Sequence, residues 1–240
     1  MVKTKDRVRL LGMKNEANKK VLLILTSHDR LGDTGTPTGF WLEELAAPYY
    51  AFVEAGYAVD LASPKGGKPP VDPKSEKAEE ASVKRFLGDS EAMQKLETTK
   101  ALFSIAQPYD AYFVVGGHGV MFDLGVSNEA GAFLGRAWDA GKIVAAVCHG
   151  PAALVPVKDA AGESIVKGRR VAGFSNEEEE AVGLTKVVPY ALQSKLEELG
   201  GRYERGPNWQ PFAVRDGRLV TGQNPRSSVA VAKLTIEALA

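Results

Sequence analysis

The chain has a single cysteine, Cys148, and only three histidines, His28, His118 and His149. One thiol excludes an internal disulfide framework and any zinc site built on paired cysteines, and it suits a reducing compartment. Thirty basic residues are matched by thirty acidic ones, which leaves no electrostatic footprint for nucleic acid or an anionic membrane surface. No apolar run has membrane-spanning length. Residues 1–20 are polar and hold no apolar signal-peptide core. They read as a flexible N-terminal extension before a single domain over 21–240, with the cytoplasm as the expected location. Neither an internal repeat nor a low-complexity linker divides that span.

What the chain does have is one organising stretch, Lys142 to Leu154. Ile143 to Val147 is an unbroken apolar run between Gly141 and Gly150-Pro151, the pattern of a strand buried on both faces of a parallel sheet. Cys148 and His149 come next, and an Ala/Leu-rich helix start is expected beyond them. A nucleophile at a sharp strand-to-helix turn stands at the top of the sheet. A helix N-terminus beside it lowers the thiol pKa and favours the reactive thiolate. The competing reading is a buried structural cysteine.

The remaining patterns alternate strand and helix. Val21 to Thr26, Ala58 to Ala62 and Ala111 to Val115 read as parallel strands, and Phe40 to Ala55 and Asn128 to Gly141 as helices. Ser63 to Lys100 is too long for a plain connection and reads as a surface loop and then a small charged helical insertion. Asp159 to Gly168 reads as a hairpin or surface loop and Arg170 to Phe174 as a short strand. Ser175 to Glu180 is a capped helix start, and Tyr190 to Leu199 a further helix. Trp209 to Val214 and Arg218 to Gly222 read as a pair of strands around the Asp216-Gly217 turn, and a last helix over Ser227 to Ala240 completes the chain. The fold class is α/β: a parallel sheet with helices on both faces plus the small helical insertion.

Thr26, the Gly116-Gly117-His118-Gly119 loop and Cys148-His149 all come after strands, so they meet on the carboxyl edge of such a sheet, where α/β proteins place their sites. A thiol nucleophile needs a base, and reaction at a carbonyl needs donors for the developing oxyanion. The amides of Gly117 and His149 suit that second role. By themselves, Gly116 to Gly119 read equally well as a tight structural turn, and Glu43 and Glu44 as solvated helix glutamates.

At Ala146-Val147-Cys148-His149-Gly150-Pro151 the sequence resembles the DJ-1/PfpI superfamily, and within it the Hsp31-like branch of glutathione-independent glyoxalases. Thr38-Gly39 through Glu44, Gly117-His118-Gly119 with Phe122-Asp123, Gly173-Phe174 and Asp216 to Gly222 with Asn224-Pro225 extend the resemblance over nearly the whole chain beyond residue 20. It implies a flavodoxin-like, class I glutamine amidotransferase-like fold. It implies Cys148 as nucleophile, His149 as triad histidine, Glu44 as the acid on the first helix and Glu179 as third triad member. Glu178 and Glu180 are the competing registers for that last role. Gly117 and His118 fall on the oxyanion loop.

The activity implied is conversion of a 2-oxoaldehyde such as methylglyoxal to D-lactate without glutathione. Cys148 would form a hemithioacetal, and His149 or Glu44 would move a proton from C1 to C2. A protonated Glu44 would favour the thiolate by hydrogen bonding. The resemblance implies no cofactor or metal, a homodimer and a stress-chaperone role beside catalysis. Two other readings remain: a cysteine-dependent amidase or peptidase, and a non-enzymatic holdase or redox sensor using Cys148.

Overall fold

The computed structural model describes residues 19–77 and 79–240. The expected extension over 1–20 therefore lies outside the described residues except at its end, where Lys20 already opens a strand. Seven strands form the main sheet. In chain order they are β1 (Lys20–Ile24), β2 (Ala58–Ser63), β3 (Lys100–Ala101), β4 (Ala111–Val114), β5 (Ile143–Val147), and, after two strands of a separate sheet, β8 (Ala213–Asp216) and β9 (Leu219–Gly222). Their order across the sheet is β3-β2-β1-β4-β5-β9-β8. All pairings are parallel except the β8–β9 hairpin.

The central strands carry the sequence pattern that requires this place. Val21 to Ile24, Ala111 to Val114 and Ile143 to Val147 are buried without alternation, because helices cover both faces of the sheet. Helix α1 (Leu42–Glu54) buries Leu42, Leu45, Ala46, Tyr49 and Phe52, as its helical spacing predicts, while Val53 is left exposed. It packs against the insertion helix α2 (Ala81–Gly88), which leads into α3 (Ser90–Glu97). Helix α4 (Asn128–Asp139) packs on β5, and the C-terminal helix α7 (Ser228–Leu239) on α1, β5 and β9. Two short helices, α5 (Asn176–Ala181) and α6 (Leu192–Glu198), lie between.

The insertion differs in detail from its sequence reading. It is two helices that end in an edge strand, β3, so the strand at Ala111 is the fourth rather than the third. Val83, Phe86 and Leu96 are its anchors, whereas Leu87 is half exposed. Its loop also reaches the other end of α1. The Ser75 hydroxyl accepts the Leu42 amide at 3.1 Å, satisfying one of the donors that a helix start leaves open. The strand expected over Arg170 to Phe174 is only β6 (Arg170–Val171), and it pairs in parallel with β7 (Arg202–Tyr203) in a separate two-stranded sheet. The 159–168 segment is not wholly at the surface: Ile165 and Val166 are fully buried.

Four consecutive glutamates, 177–180, open α5. The Ser175 hydroxyl accepts the Glu178 amide, and the Glu178 carboxylate accepts the Ser175 amide at 3.2 Å, a capping box. The other Glu178 oxygen accepts the Trp209 amide and the Asn224 side-chain amide, each at 2.8 Å. A fully buried carboxylate is thus saturated with donors and ties α5 to the loop around Trp209. Glu178→Ala is expected to lower unfolding free energy by roughly 2–4 kcal/mol, from lost capping and stranded donors. Glu180→Ala, at an exposed position, should stay within about 0.5 kcal/mol. Urea unfolding of the two variants checks the contrast.

Candidate active site

Cys148 sits directly after the last residue of β5 and takes a left-handed backbone, with φ 60°. For a residue with a side chain that conformation is strained and persists only where the surroundings impose it. Here its amide donates to the Gly222 carbonyl of β9 at 3.0 Å, and its carbonyl accepts the Phe174 amide at 2.8 Å. The segment beyond it is not the expected α-helix. Gly150–Leu154 is a single 3₁₀ segment, too short to set a helix dipole against the sulfur.

The thiol environment differs accordingly from the sequence expectation. Burial, and then the charge of the adjacent Glu44, push the Cys148 thiol well above its usual range. The His149 amide, hydrogen-bonded to the sulfur, opposes this only in part. Glu44, fully buried in the first turn of α1, is pushed up in turn by burial and then by the like charge of Glu43. Its Oε2 accepts the Gly116 amide at 2.8 Å. Its Oε1 is buried, and the carboxyl lies within hydrogen-bonding reach of the Cys148 thiol. Glu44 and Cys148 thus form a coupled pair in which two negative charges are disfavoured. Gly116 has to be glycine for this pair to meet. A Cβ there would lie 2.4 Å from Glu44 Oε2 and 2.9 Å from the Cys148 Cβ.

His149 is buried behind the thiol, with Nδ1 3.5 Å from Cys148 Sγ and Nε2 2.8 Å from Glu179 Oε2. The other oxygen, Glu179 Oε1, lies 2.9 Å from His118 Nε2. Burial alone would raise the Glu179 carboxyl, but attraction to His149 and the two imidazole hydrogen bonds outweigh it and hold the group well below its usual range. Burial, then repulsion from His118, push His149 down to about 4 despite Glu179. An ionised carboxylate only accepts, so His149 donates from Nε2 and presents an unprotonated Nδ1 to the sulfur. Glu179, rather than Glu178 or Glu180, is the glutamate on His149.

The Gly116 to Gly119 loop closes the site on the next strand. Gly117 has φ 105°, and a Cβ there would stand 2.3 Å from the Gly39 carbonyl oxygen. Its amide makes no hydrogen bond to a described residue, and Gly117 lines the same cavity as Cys148. Phe122-Asp123 plays a structural part. Asp123 accepts the Thr26 hydroxyl and the Ser27 amide, each at 2.7 Å, and so pins this loop to the end of β1. His28 stands apart: it stacks on Phe122 and bonds to the Arg30 carbonyl.

The cavity above the thiol measures about 310 Å³. Trp41, Phe174, Leu184 and Trp209 give it apolar walls, and Lys74, Glu80 and Arg226 lie among its lining residues. Sequence pattern does not announce these walls, because wall residues need no periodicity. Trp209 reads as part of a strand in sequence, yet it has a left-handed φ of 61° and packs edge-on against Phe174. His118, His149 and Glu179 also offer ligand atoms within 4.8 Å of one another, but the close contacts in that group are the two carboxylate–imidazole bonds already described.

A sequence model described as the DJ-1/PfpI family matches residues 36–238. The chain belongs to the DJ-1/PfpI family. Among its relatives, Glyoxalase 3 of Candida albicans is 32% identical, with 91% of this chain and 98% of that protein aligned. Glutathione-independent glyoxalase HSP31 of Saccharomyces cerevisiae is 31% identical, over 93% of this chain and 99% of the relative. Among solved structures, Rapid Encystment Protein 24 KDa of Francisella tularensis superposes with a TM-score of 0.89 at 36% identity, covering 92% of this chain and 99% of that one. The crystal structure of glyoxalase III from Candida albicans gives 0.83 at 31% identity, covering 92% and 97%.

A raised thiol pKa has a direct readout. Alkylation of Cys148 by iodoacetamide is expected to keep accelerating with pH through about 9, the ordinary thiol range. A plateau reached by about pH 7 would mean a stabilised thiolate instead.

Proposed function

We propose that this protein is a glutathione-independent glyoxalase that converts 2-oxoaldehydes such as methylglyoxal to 2-hydroxy acids, D-lactate in that case, as a lyase. The observation that carries the reading is the thiol held between the buried Glu44, whose carboxyl is pushed up by burial and then by Glu43, and Nδ1 of His149. Relatives named as glutathione-independent glyoxalases align over most of both chains, which supports the same substrate class.

In this reading Cys148 adds to the aldehyde while His149 Nδ1 takes the thiol proton. A thiol with a raised pKa is thereby spared full ionisation before attack. The Gly117 amide stands ready for the oxygen that gains charge. Proton transfer from C1 to C2 turns the hemithioacetal into a thioester, and water releases the hydroxy acid and the thiol. The protein's own sulfur does the work that a glutathione thiol would otherwise do. The reading includes a cytoplasmic homodimer, supported by the family resemblance and testable by sedimentation equilibrium.

Lactate formed from methylglyoxal without glutathione is the deciding assay. Wild type should produce D-lactate, and Cys148→Ser and Cys148→Ala should abolish turnover while remaining folded. Glu179→Gln should cost less, because Glu179 orients and does not react. Absence of lactate from a folded protein with an alkylatable Cys148 refutes the reading and points to amide or ester hydrolysis.

His149 governs the pH dependence of thiol addition. With its pKa lowered to about 4, the base form persists as pH falls and is lost only as pH passes down through that value. The acid limb of the thiol-addition step, read as single-turnover hemithioacetal formation, should therefore lie near 4. A limb at the ordinary histidine value, about 6.5, would remove His149 from the role.

A further inference from the structure

The geometry assigns two groups to the sulfur and leaves the substrate carbons unattended. Glu44 is fully buried, bonded to the Gly116 amide, and not among the residues that line the cavity. His149 faces the sulfur itself, and its side chain is only 1% exposed. A 2-oxoaldehyde still needs a base that meets C1 and C2.

His118 has the required features. Its Nε2 is bound to Glu179, its ring lies 3.9 Å from the His149 ring, centroid to centroid, and its side chain is 15% exposed on the wall of the cavity that holds Cys148. In the neutral ring, donation from Nε2 to the carboxylate leaves Nδ1 as the basic nitrogen. No described residue bonds to that Nδ1. The two imidazoles are therefore held alike by one carboxylate. One presents Nδ1 to the nucleophile, and the other has its Nδ1 left for whatever occupies the cavity.

We propose that His118 is the catalytic base of the isomerisation step, carrying the proton from C1 to C2 of the Cys148 hemithioacetal. The proposal rests on the glyoxalase reading above. The C1–H bond breaks, its proton goes to His118 Nδ1, and its electron pair forms the C1–C2 double bond as charge moves to the C2 oxygen. That oxygen takes the proton of the C1 hydroxyl. The electron pair left on the C1 oxygen then re-forms a carbonyl, and C2 takes the proton back from Nδ1. The product is the 2-hydroxy thioester, and His118 ends neutral. No oxidant or reductant is needed. Glu179 stabilises the imidazolium formed on either ring, first during thiol addition and then during proton transfer. The two charges need not coexist, because the proton taken from the thiol has already passed to the hemithioacetal oxygen.

His118→Gln is the discriminating variant: a glutamine amide can still donate to Glu179 but offers no basic nitrogen. Lactate formation should fall by about 100-fold or more, the usual range for a lost general base, with KM and the Cys148 alkylation rate both within about twofold of wild type. With methylglyoxal deuterated at C1, the isotope effect on kcat should be larger in His118→Gln than in wild type. A purely structural role would not produce that increase. Turnover near the wild-type level, or alkylation falling in parallel with turnover, would overturn the proposal while leaving the glyoxalase reading intact. Wild-type protein that alkylates but makes no lactate would overturn both. If His118→Gln does not fold, His118→Ala with added 4-methylimidazole replaces it. Dose-dependent recovery of lactate formation is expected, and no recovery in a folded protein counts against His118.

Discussion

The site depends on one backbone constraint, the left-handed turn at Cys148. It swings the thiol out of line with β5 and sets the sulfur between β4's loop and α1. The fold holds the strain with ladder-like bonds on both sides, one from the neighbouring strand β9 and one to Phe174. Because the turn is so tight, the chain beyond it forms only a 3₁₀ segment. The sulfur therefore sits in a buried, carboxyl-flanked niche without a long helix dipole behind it. Activation has to come from side chains that move protons.

Two glutamates show how burial and partners separate chemically identical groups. Glu44 meets one backbone amide and a thiol, so desolvation dominates and pushes its carboxyl up. Glu179 is also largely buried, but two imidazoles face its two oxygens and the charge stays on. One carboxyl thus favours its protonated form beside the thiol, and the other stays charged between two imidazoles. Environment decides the roles, and neither could be assigned from residue type.

The alternation of apolar runs and helical spacing makes the parallel sheet legible, because strands buried on both faces leave an unbroken apolar signature. The Cys-His pair at a strand end likewise marks the site's centre. Four glutamates in a row leave the register of the third triad member open, and only the angular placement around α5 separates Glu179 from Glu178. Short elements escape for a related reason: β3, β6 and β7 have two residues each and so no period to detect. The thiol's electrostatics differ from expectation because the Ala/Leu-rich pattern implies a helix where the chain supports less than two full turns of 3₁₀. The cavity walls are assembled from separate loops, so no local pattern announces them.

The capping box of α5 also organises the site. Glu178 holds the Trp209 wall, and the next residue, Glu179, holds the two histidines. Both carboxylates hang from the same helical turn. Adjacent side chains of one short helix therefore hold a wall of the cavity and the two imidazoles. A substitution that displaces this turn disturbs cavity shape and imidazole placement together.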